Sequence, residues 1–187
     1  MEVVRQLNPQ TIIEVLVPDF NDNDAAIELV LAARPHIYNH NLETVRRLTP
    51  AVRHRATYDR SLSVLQKAKA RSAAVPSRSD AGLSAGGGLD KPRASLITKS
   101  GMMLGLGETE PEVLEAMRDL RSVGCDILTL GQYLQPTLRH LPVIEFIPPE
   151  KFAEYKIVAE QMGFLHVASG PMVRSSYHAD EVNLPLG

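Results

Sequence analysis

Short runs of β-branched and aliphatic residues alternate with segments of helical periodicity along the whole chain. The apolar runs predict five strands, at residues 12–17, 36–39, 95–104, 126–130 and 164–168. Helical spacing of apolar residues predicts four intervening or following helices, at residues 24–33, 59–70, 109–124 and 149–163. Because parallel neighbours need long crossover connections, strands that alternate with helices indicate a parallel sheet. The sequence therefore predicts an α/β fold.

Two of the helices carry recognisable start signals. Thr109 and Glu112 have the T-x-x-E spacing of a capping box, and Gly124 suits the left-handed residue that ends a helix. For the first helix after a strand, Asp22 or Asp24 is the predicted N-cap. The third strand is expected to be interrupted at Gly101, because glycine weakens a strand interior.

The length limits the architecture to two possibilities. A complete eight-stranded barrel needs about 250 residues, so 187 residues hold either an open doubly wound sheet or part of a TIM-type (β/α) barrel truncated at its N-terminus. The second possibility also explains the uncapped helical composition of residues 1–7, which Asn8 and Pro9 stop at once. Residues 71–93 are rich in Ser, Ala and Gly and are interpreted as a disordered insertion within a single domain, residues 1–187.

Composition excludes several classes of function. The chain has 20 Lys and Arg against 22 Asp and Glu, without blocks of either sign, so no footprint for nucleic acid or an anionic membrane is present. A single cysteine rules out an intramolecular disulfide, a zinc ribbon and any cysteine-ligated iron-sulfur cluster held by this chain alone. Neither a signal-peptide core nor a run of ~20 apolar residues occurs. We therefore expect a cytoplasmic protein.

Polar residues gather directly after the predicted strands. In parallel β/α folds the carboxyl ends of the strands form the ligand face. The residues at this edge are Asp19, Asn21, Asp22, Asn39, His40, Asn41, Glu43, Glu108, Gln132, Tyr133, Gln135, Arg174, Ser175, Ser176 and Tyr177. Strand-to-helix loops are polar in any case, so each residue alone has an ordinary explanation, whereas their joint placement indicates a site.

Other motifs carry less weight. The glycine-rich residues 101–108 lack the third glycine of G-x-G-x-x-G, since Glu110 stands there, and lack the G-K-[ST] of a phosphate loop. His36 and His40 are four residues apart but outside a helical H-E-x-x-H context. Cys125 precedes an apolar strand, which favours a buried structural thiol over a nucleophile.

Five sequence runs together resemble the C-terminal part of lipoyl synthase, a radical S-adenosylmethionine family. They are YNHNLET at 38–44, TKSGMMLGLGET at 98–109, LGQYLQP at 130–136, RHLP at 139–142 and GPMVRSSY at 170–177. The resemblance covers nearly the whole chain except residues 71–93. It implies a partial, six-stranded barrel with two 4Fe-4S clusters, one of which cleaves S-adenosylmethionine to a 5′-deoxyadenosyl radical.

The resemblance also implies a reaction and its partners. The radical abstracts hydrogen from C6 and C8 of an octanoyl chain on a carrier-protein lysine, and the auxiliary cluster donates the sulfur atoms. The carrier is a lipoyl domain, from a 2-oxoacid dehydrogenase E2 subunit or the glycine cleavage H protein. The residues implied to line the S-adenosylmethionine and substrate cavity are Asn39, Asn41, Glu43, Lys99, Gly105 and Glu108, with Gln132 and Tyr133 near the adenine.

Ser176 matches the family's serine ligand of the auxiliary cluster, and Arg174, Ser175 and Tyr177 surround it in sequence. A serine alkoxide is a hard ligand for a soft cluster, so it suits a cluster that must come apart. The alternative is that Ser175 and Ser176 only cap the chain after the fifth strand.

The cysteine motifs of the family are absent from this sequence. We therefore interpret the chain as a C-terminal lipoyl synthase fragment that is inactive alone, with a separate N-terminal half as a possible partner. Two hypotheses of another class stay open. The chain is a non-catalytic partner in a split barrel, or it is a module that binds the lipoyl-carrier domain. A generic open-sheet ligand-binding domain is a more distant possibility.

Overall fold

A computed structural model describes residues 1–74 and 96–175 of the chain. The strands are β1 (Glu14–Leu16), β2 (Ile37–Asn39), β3 (Ile97–Leu104), β4 (Ile127–Gln132) and β5 (His166–Gly170). The helices are α1 (Glu2–Leu7), α2 (Asp24–Ala32), α3 (Thr49–Val52), α4 (Tyr58–Ala74), α5 (Glu110–Ser122) and α6 (Pro149–Gln161), with a short 3-10 turn at Phe20–Asp22. In the part of the chain that is described, no helix combines the length and apolar character needed to cross a membrane.

The five strands form one parallel sheet in the order β1-β2-β3-β4-β5. The predicted α/β class is confirmed. A sequential order is the order of a (β/α) barrel, whereas a doubly wound sheet reverses direction at a switch point. Among the described residues β1 and β5 are the outer strands of the sheet, so the sheet is open. The arrangement therefore favours part of a barrel over the doubly wound alternative.

The main hydrophobic core lies between one face of the sheet and the helices. Strand side chains on that face pack against helix side chains, because right-handed crossovers in sequential order place the helices on the same side. The largest members of this core include Tyr38, Met102, Leu104, Leu128, Leu130 and Val167 from the strands, and Ile27, Leu65, Met117 and Phe152 from the helices. The opposite face carries a small apolar cluster of buried residues, formed by Ile37, Ile97 and Ile127.

Glycine at position 101 does not interrupt β3, which is a correction of the sequence-based expectation. The strand runs through Gly101, which pairs with Thr129 of β4. A Cβ at this position would lie 2.6 Å from Thr129 Oγ1 and 3.0 Å from Asn41 Oδ1. The glycine therefore allows two side chains to approach the sheet rather than breaking the strand.

The predicted N-cap of α2 is also wrong. Asn23 caps this helix, since its side-chain oxygen accepts a hydrogen bond from the backbone N–H of Ala26 at 3.3 Å. Asp22 and Asp24 instead form ion pairs with Lys67 of α4 at 2.9 and 2.8 Å. The two aspartates thus join α4 to the turn that precedes α2.

Helix α4 runs past residue 70, into the start of the segment 71–93 that the sequence predicts to be a disordered insertion. Helix α4 continues through Ala74, and Arg71 forms ion pairs with Asp24 and Glu28 of α2 at 2.6 and 3.1 Å. The observed helix therefore ends four residues beyond the predicted end at residue 70, and Arg71 in this last turn is paired with α2. The remainder of the proposed insertion lies outside the described residues.

Candidate functional site

The face of the sheet turned away from the helices changes from apolar to polar along the strands. The apolar cluster of Ile37, Ile97 and Ile127 lies towards the amino ends. Side chains two residues further along a strand share its face, which brings Asn39, Lys99 and Thr129 next. The carboxyl end of this face is therefore lined by groups that can hydrogen-bond.

Lys99 is held in this polar layer by a carboxylate from β1. Its side chain is 2% exposed, and its Nζ lies 2.9 Å from Glu14 Oε2. Asn39 Nδ2 donates to the other carboxylate oxygen of Glu14 at 2.6 Å, whereas Asn39 Oδ1 is buried without a hydrogen-bond partner among the described residues. Sequence reasoning missed Glu14. The available signal was a single charged residue within the apolar run at residues 12–17.

The segment that follows β2 leaves the regular strand pairing at residues 40–42 and pairs with β3 again at Glu43. Leu42 N donates to Ser100 Oγ at 3.1 Å, Glu43 N donates to the Gly101 carbonyl at 2.9 Å, and Met103 N donates to the Glu43 carbonyl at 2.8 Å. Glu43 has φ of 70°, the left-handed region that non-glycine residues rarely adopt. Such a conformation costs on the order of 1 to 3 kcal/mol and persists where surrounding contacts hold it.

A cavity of about 220 Å³ opens at this end of the sheet, and we call it the polar cavity after the Asn41, Glu43, Gln132 and Arg174 side chains in its wall. Asn41 and Glu43 form one wall, and Arg174 and Ser175 line it after β5; further lining residues are Gly101, Met102, Met103, Thr129, Gly131, Gln132, Leu134 and Val173. Burial raises the pKa of Glu43, although a hydrogen bond from Asn41 and the charge of Arg53 oppose that shift. Asn41 Oδ1 is buried without a hydrogen-bond partner among the described residues. The cavity thus offers a carboxyl group, an unpaired amide oxygen and a guanidinium.

A second, larger cavity of about 500 Å³ shares part of its wall with the first, and we call it the apolar cavity after Leu106, Leu134 and Leu141, although Arg139 and two histidines also line it. Its lining residues are Ala51, Val52, His54, Met103, Leu106, Tyr133, Leu134, Pro136, Arg139, His140 and Leu141. The Tyr133 hydroxyl donates to the Leu141 carbonyl at 2.8 Å, which fixes the ring in the wall. Met103 and Leu134 line both cavities. The two cavities are therefore adjacent.

Glu108, Gly105 and Gln132 brace the loops around these cavities. The Glu108 carboxylate accepts hydrogen bonds from the backbone N–H groups of Gly105 and Leu106. Gly105 has φ of 101°, and a Cβ there would collide with the Gln132 side chain and the Glu145 carbonyl. Gln132 donates to the Glu145 carbonyl at 3.0 Å. Glu108 is therefore occupied in closing its own loop, and neither it nor Gly105 lines either of these two cavities.

The structure separates the residues predicted for the site into four groups. Asn41, Glu43, Gln132, Arg174 and Ser175 line the polar cavity, and Tyr133 lines the apolar one. Asn39 and Lys99 belong to the buried layer with Glu14, and Gly105 and Glu108 belong to the bracing loop. Ser176 and Tyr177 lie outside the described residues.

The described residues do not fit an iron-sulfur cluster. Within residues 1–74 and 96–175, no group of three or more His, Cys, Asp or Glu side chains is placed to hold a metal ion. Cys125 is buried at the amino end of β4, where burial raises the pKa of its thiol to about 12. Because the thiolate is the form that ligates iron, Cys125 is a poor ligand.

No protein-family model matches the chain. Individual curated proteins do match, over nearly its entire length. Lipoyl synthase from Caldicellulosiruptor saccharolyticus is 50% identical over 181 residues, which are 97% of this chain and 56% of that protein. The chain is similar to this lipoyl synthase over nearly its own whole length.

Two further relatives carry the same name. Lipoyl synthase from Thermus thermophilus is 49% identical over 185 residues, and lipoyl synthase 2 from Gloeobacter violaceus is 52% identical over 181 residues. They cover 98% and 97% of this chain, but the chain covers 51% and 55% of them. The resemblance to lipoyl synthases is confirmed, and the chain spans about half the length of the relatives it matches.

Proposed function

We propose that the chain supplies the S-adenosylmethionine cavity and part of the acyl-substrate cavity of a lipoyl synthase. The full enzyme would insert sulfur at C6 and C8 of a protein-bound octanoyl-lysine. The observation that carries the proposal is that the two cavities are neighbours, since Met103 and Leu134 line both of them. S-Adenosylmethionine joins a charged amino-acid part to an adenosine, so a cavity with Glu43 and Asn41 in its wall, next to one with Tyr133 in its wall, suits its two parts.

The residues of the polar cavity fit the charged part of this ligand. Its ammonium and sulfonium groups are cationic, and the Glu43 carboxyl is the negative group in the cavity wall. Asn41 Oδ1 is a free acceptor for an N–H or O–H donor. In the low-dielectric surroundings of a partly buried site, each such interaction is stronger than in water. Glu43 and Asn41 would therefore bind and orient the amino-acid and sugar parts.

The apolar cavity fits the adenine ring. Tyr133 supplies a fixed aromatic surface, and Leu106 and Leu141 supply aliphatic contacts. When bound, S-adenosylmethionine supplies a carbon–sulfur bond, and reductive cleavage of this bond starts hydrogen abstraction from the substrate. The octanoyl chain is apolar and would approach the wall that the two cavities share at Met103 and Leu134. Exclusion of water from this place would prevent side reactions of the radical.

The clusters of the family do not fit the described residues, so we derive no step through them. We propose that their cysteine ligands come from a part of the enzyme that this sequence does not include, in the same polypeptide or in a separate N-terminal half. The same proposal has four further parts. Ser176 is a ligand of the auxiliary cluster, and the octanoylated carrier domain is the substrate. The protein is cytoplasmic, and this chain is inactive alone.

Calorimetric titration with S-adenosylmethionine tests the proposed cavity. We expect the 187-residue chain to bind it, and Glu43→Gln to weaken binding at least tenfold, about 1.4 kcal/mol, because the cation loses its counter-charge. Glu115→Gln, on the exposed side of α5, is the matched control and should bind like the parent. Absence of binding by the parent, or unchanged affinity in Glu43→Gln, would contradict the proposal.

A further inference from the structure

A chain of hydrogen bonds lies directly behind the cavity wall at residues 41–43. His40 Nδ1 lies 2.8 Å from the Val17 carbonyl oxygen, and its Nε2 lies 3.0 Å from Ser61 Oγ. Arg53 Nη1 donates to Ser61 Oγ at 2.9 Å and to the Asn41 carbonyl at 3.0 Å. His40 and Ser61 are buried, at 1% and 0% exposure. The network thus ties β1, α4 and the loop after α3 to one peptide of the cavity wall.

The partners determine the direction of every bond in this network. A backbone carbonyl only accepts, so His40 Nδ1 carries the proton that Val17 receives. In the neutral ring Nε2 is then an acceptor for the Ser61 hydroxyl, whose oxygen in turn accepts from Arg53. Burial lowers the pKa of His40, and the charge of Arg53 acts in the same direction, while the Val17 bond and Asp19 oppose it. One proton arrangement therefore satisfies all of these groups.

We propose that His40, Ser61 and Arg53 are positioning residues for the polar cavity. None of them lines it. Through the hydrogen bond from Arg53 to the Asn41 carbonyl they fix the peptide that leads into Glu43. This inference rests on the proposed function, since it gives the network a role in S-adenosylmethionine binding.

The strained backbone of Glu43 explains why this hydrogen-bond network is needed. Its left-handed conformation persists only if contacts on both sides hold it. Glu43 itself is bonded to β3 on both sides, because its N–H donates to the Gly101 carbonyl and its carbonyl accepts from the Met103 N–H. On the earlier side, Arg53 holds the Asn41 carbonyl and Ser100 holds the Leu42 N–H. Removing the network releases the Asn41 carbonyl at the start of this segment, so the Glu43 carboxyl should lose part of its fixed direction.

A network that serves stability alone predicts a different result from one that positions residues 41–43. Loss of general stability speeds amide exchange throughout the cooperative core, whereas loss of positioning speeds exchange locally. Two N–H groups report on this segment, that of Glu43 and that of Met103 in β3, which donates to the Glu43 carbonyl. The N–H of Leu128 in β4 reports on the core, because that strand is buried throughout. The ratio of the local to the core exchange rates is therefore the decisive quantity.

The test is hydrogen exchange measured by NMR on the full chain, together with S-adenosylmethionine titration. We expect Ser61→Ala and Arg53→Ala to raise exchange at Glu43 and Met103 at least tenfold more than at Leu128, and to weaken binding at least fivefold. Ser61→Thr keeps the hydroxyl and should restore both. The control is Tyr58→Phe, which removes a 2.9 Å hydrogen bond to Asp119 on the helix side of the sheet and should leave the ratio and the affinity unchanged.

The outcomes separate this inference from the proposed function. If exchange at Glu43 and Met103 rises only in step with Leu128 in both alanine variants, the network is structural and the inference is wrong. If the parent binds and the alanine variants bind equally well, the inference is wrong while the proposed function stands. If the parent does not bind but the local exchange responds as expected, the positioning holds and the ligand assignment fails.

Discussion

Glu43 combines two features that oppose folding, a left-handed backbone and a partly buried carboxyl group. Burial raises its pKa above the ordinary 4.5, so the folded state binds a proton more tightly than the unfolded state does. The contribution of Glu43 to stability is therefore present at low pH and is lost as the pH rises above that value. Residues that cost stability in this way concentrate at functional sites.

Replacing this carboxyl group by an amide should stabilise the protein. We expect Glu43→Gln to raise the thermal midpoint at pH 8 by a few degrees, since about 1 kcal/mol shifts it by roughly 2 to 4 °C in a chain of this size. At pH 5 the difference should shrink, because the parent is then more protonated. Thermal denaturation of both proteins at the two pH values checks this. An equal difference at both values would show that the ionised carboxyl group is not the cause.

Replacing Glu43 by glycine separates the effect of backbone strain on stability from the effect of the carboxylate charge. Glycine accepts φ of 70° without strain, so Glu43→Gly should relieve the backbone cost in addition to the charge. We expect its midpoint to lie above that of Glu43→Gln at pH 5, where the charge matters less. A lower midpoint for Glu43→Gly at that pH would mean that the side chain's contacts outweigh the backbone strain.

Helix α5 begins with the capping box that the sequence predicts. Glu112 Oε2 accepts from Thr109 N at 2.8 Å, and Glu112 Oε1 accepts from Arg47 Nε at 2.6 Å. The Arg47 bond, followed by the Thr109 backbone bond, lowers the pKa of Glu112 to about 2. Arg47 also donates to the Gly107 carbonyl at 2.8 Å. The cap therefore holds the helix start to the loop that borders the apolar cavity.

Two substitutions at Glu112 distinguish its cap from its ion pair. Glu112→Ala removes both and should cost about 0.5 to 2 kcal/mol of unfolding free energy. Glu112→Gln retains the capping hydrogen bond, and because exposed ion pairs contribute little, it should cost less than half as much. Urea denaturation at pH 7 measures both. Equal losses in the two variants would assign the effect to the charge rather than to the cap.

The elements were predictable from the sequence where periodicity or capping chemistry defines them locally. The five strands and the helix start at Thr109 are of this kind. Strand ends depend on pairing with a neighbour, which is why β4 continues to Gln132, two residues beyond its predicted end. The predicted interruption of the third strand at Gly101 is wrong for the same reason, since the partner of Gly101, Thr129, lies on another strand. Helix α3 was missed because it has only four residues.

At the scale of the whole molecule, the carboxyl edge of the sheet was predictable as the ligand face, because parallel strands end together there. The sequence did not reveal the division into a polar and an apolar cavity, which depends on how loops pack around Met103 and Leu134. Nor did it reveal Glu14 and Arg53, whose partners are distant in the sequence. Long-range hydrogen bonds of this kind leave no local periodicity.

The most direct test of the central claim is a rejoining experiment. The chain is fused to the part of Caldicellulosiruptor saccharolyticus lipoyl synthase that it does not match, and both the fusion and the 187-residue chain are reconstituted anaerobically with iron and sulfide. Lipoyl product on an octanoylated carrier domain is then measured by mass spectrometry. We predict product from the fusion and only background from the chain alone, which has one cysteine. Product from the chain alone, or a folded, iron-loaded fusion that forms none, would contradict the account.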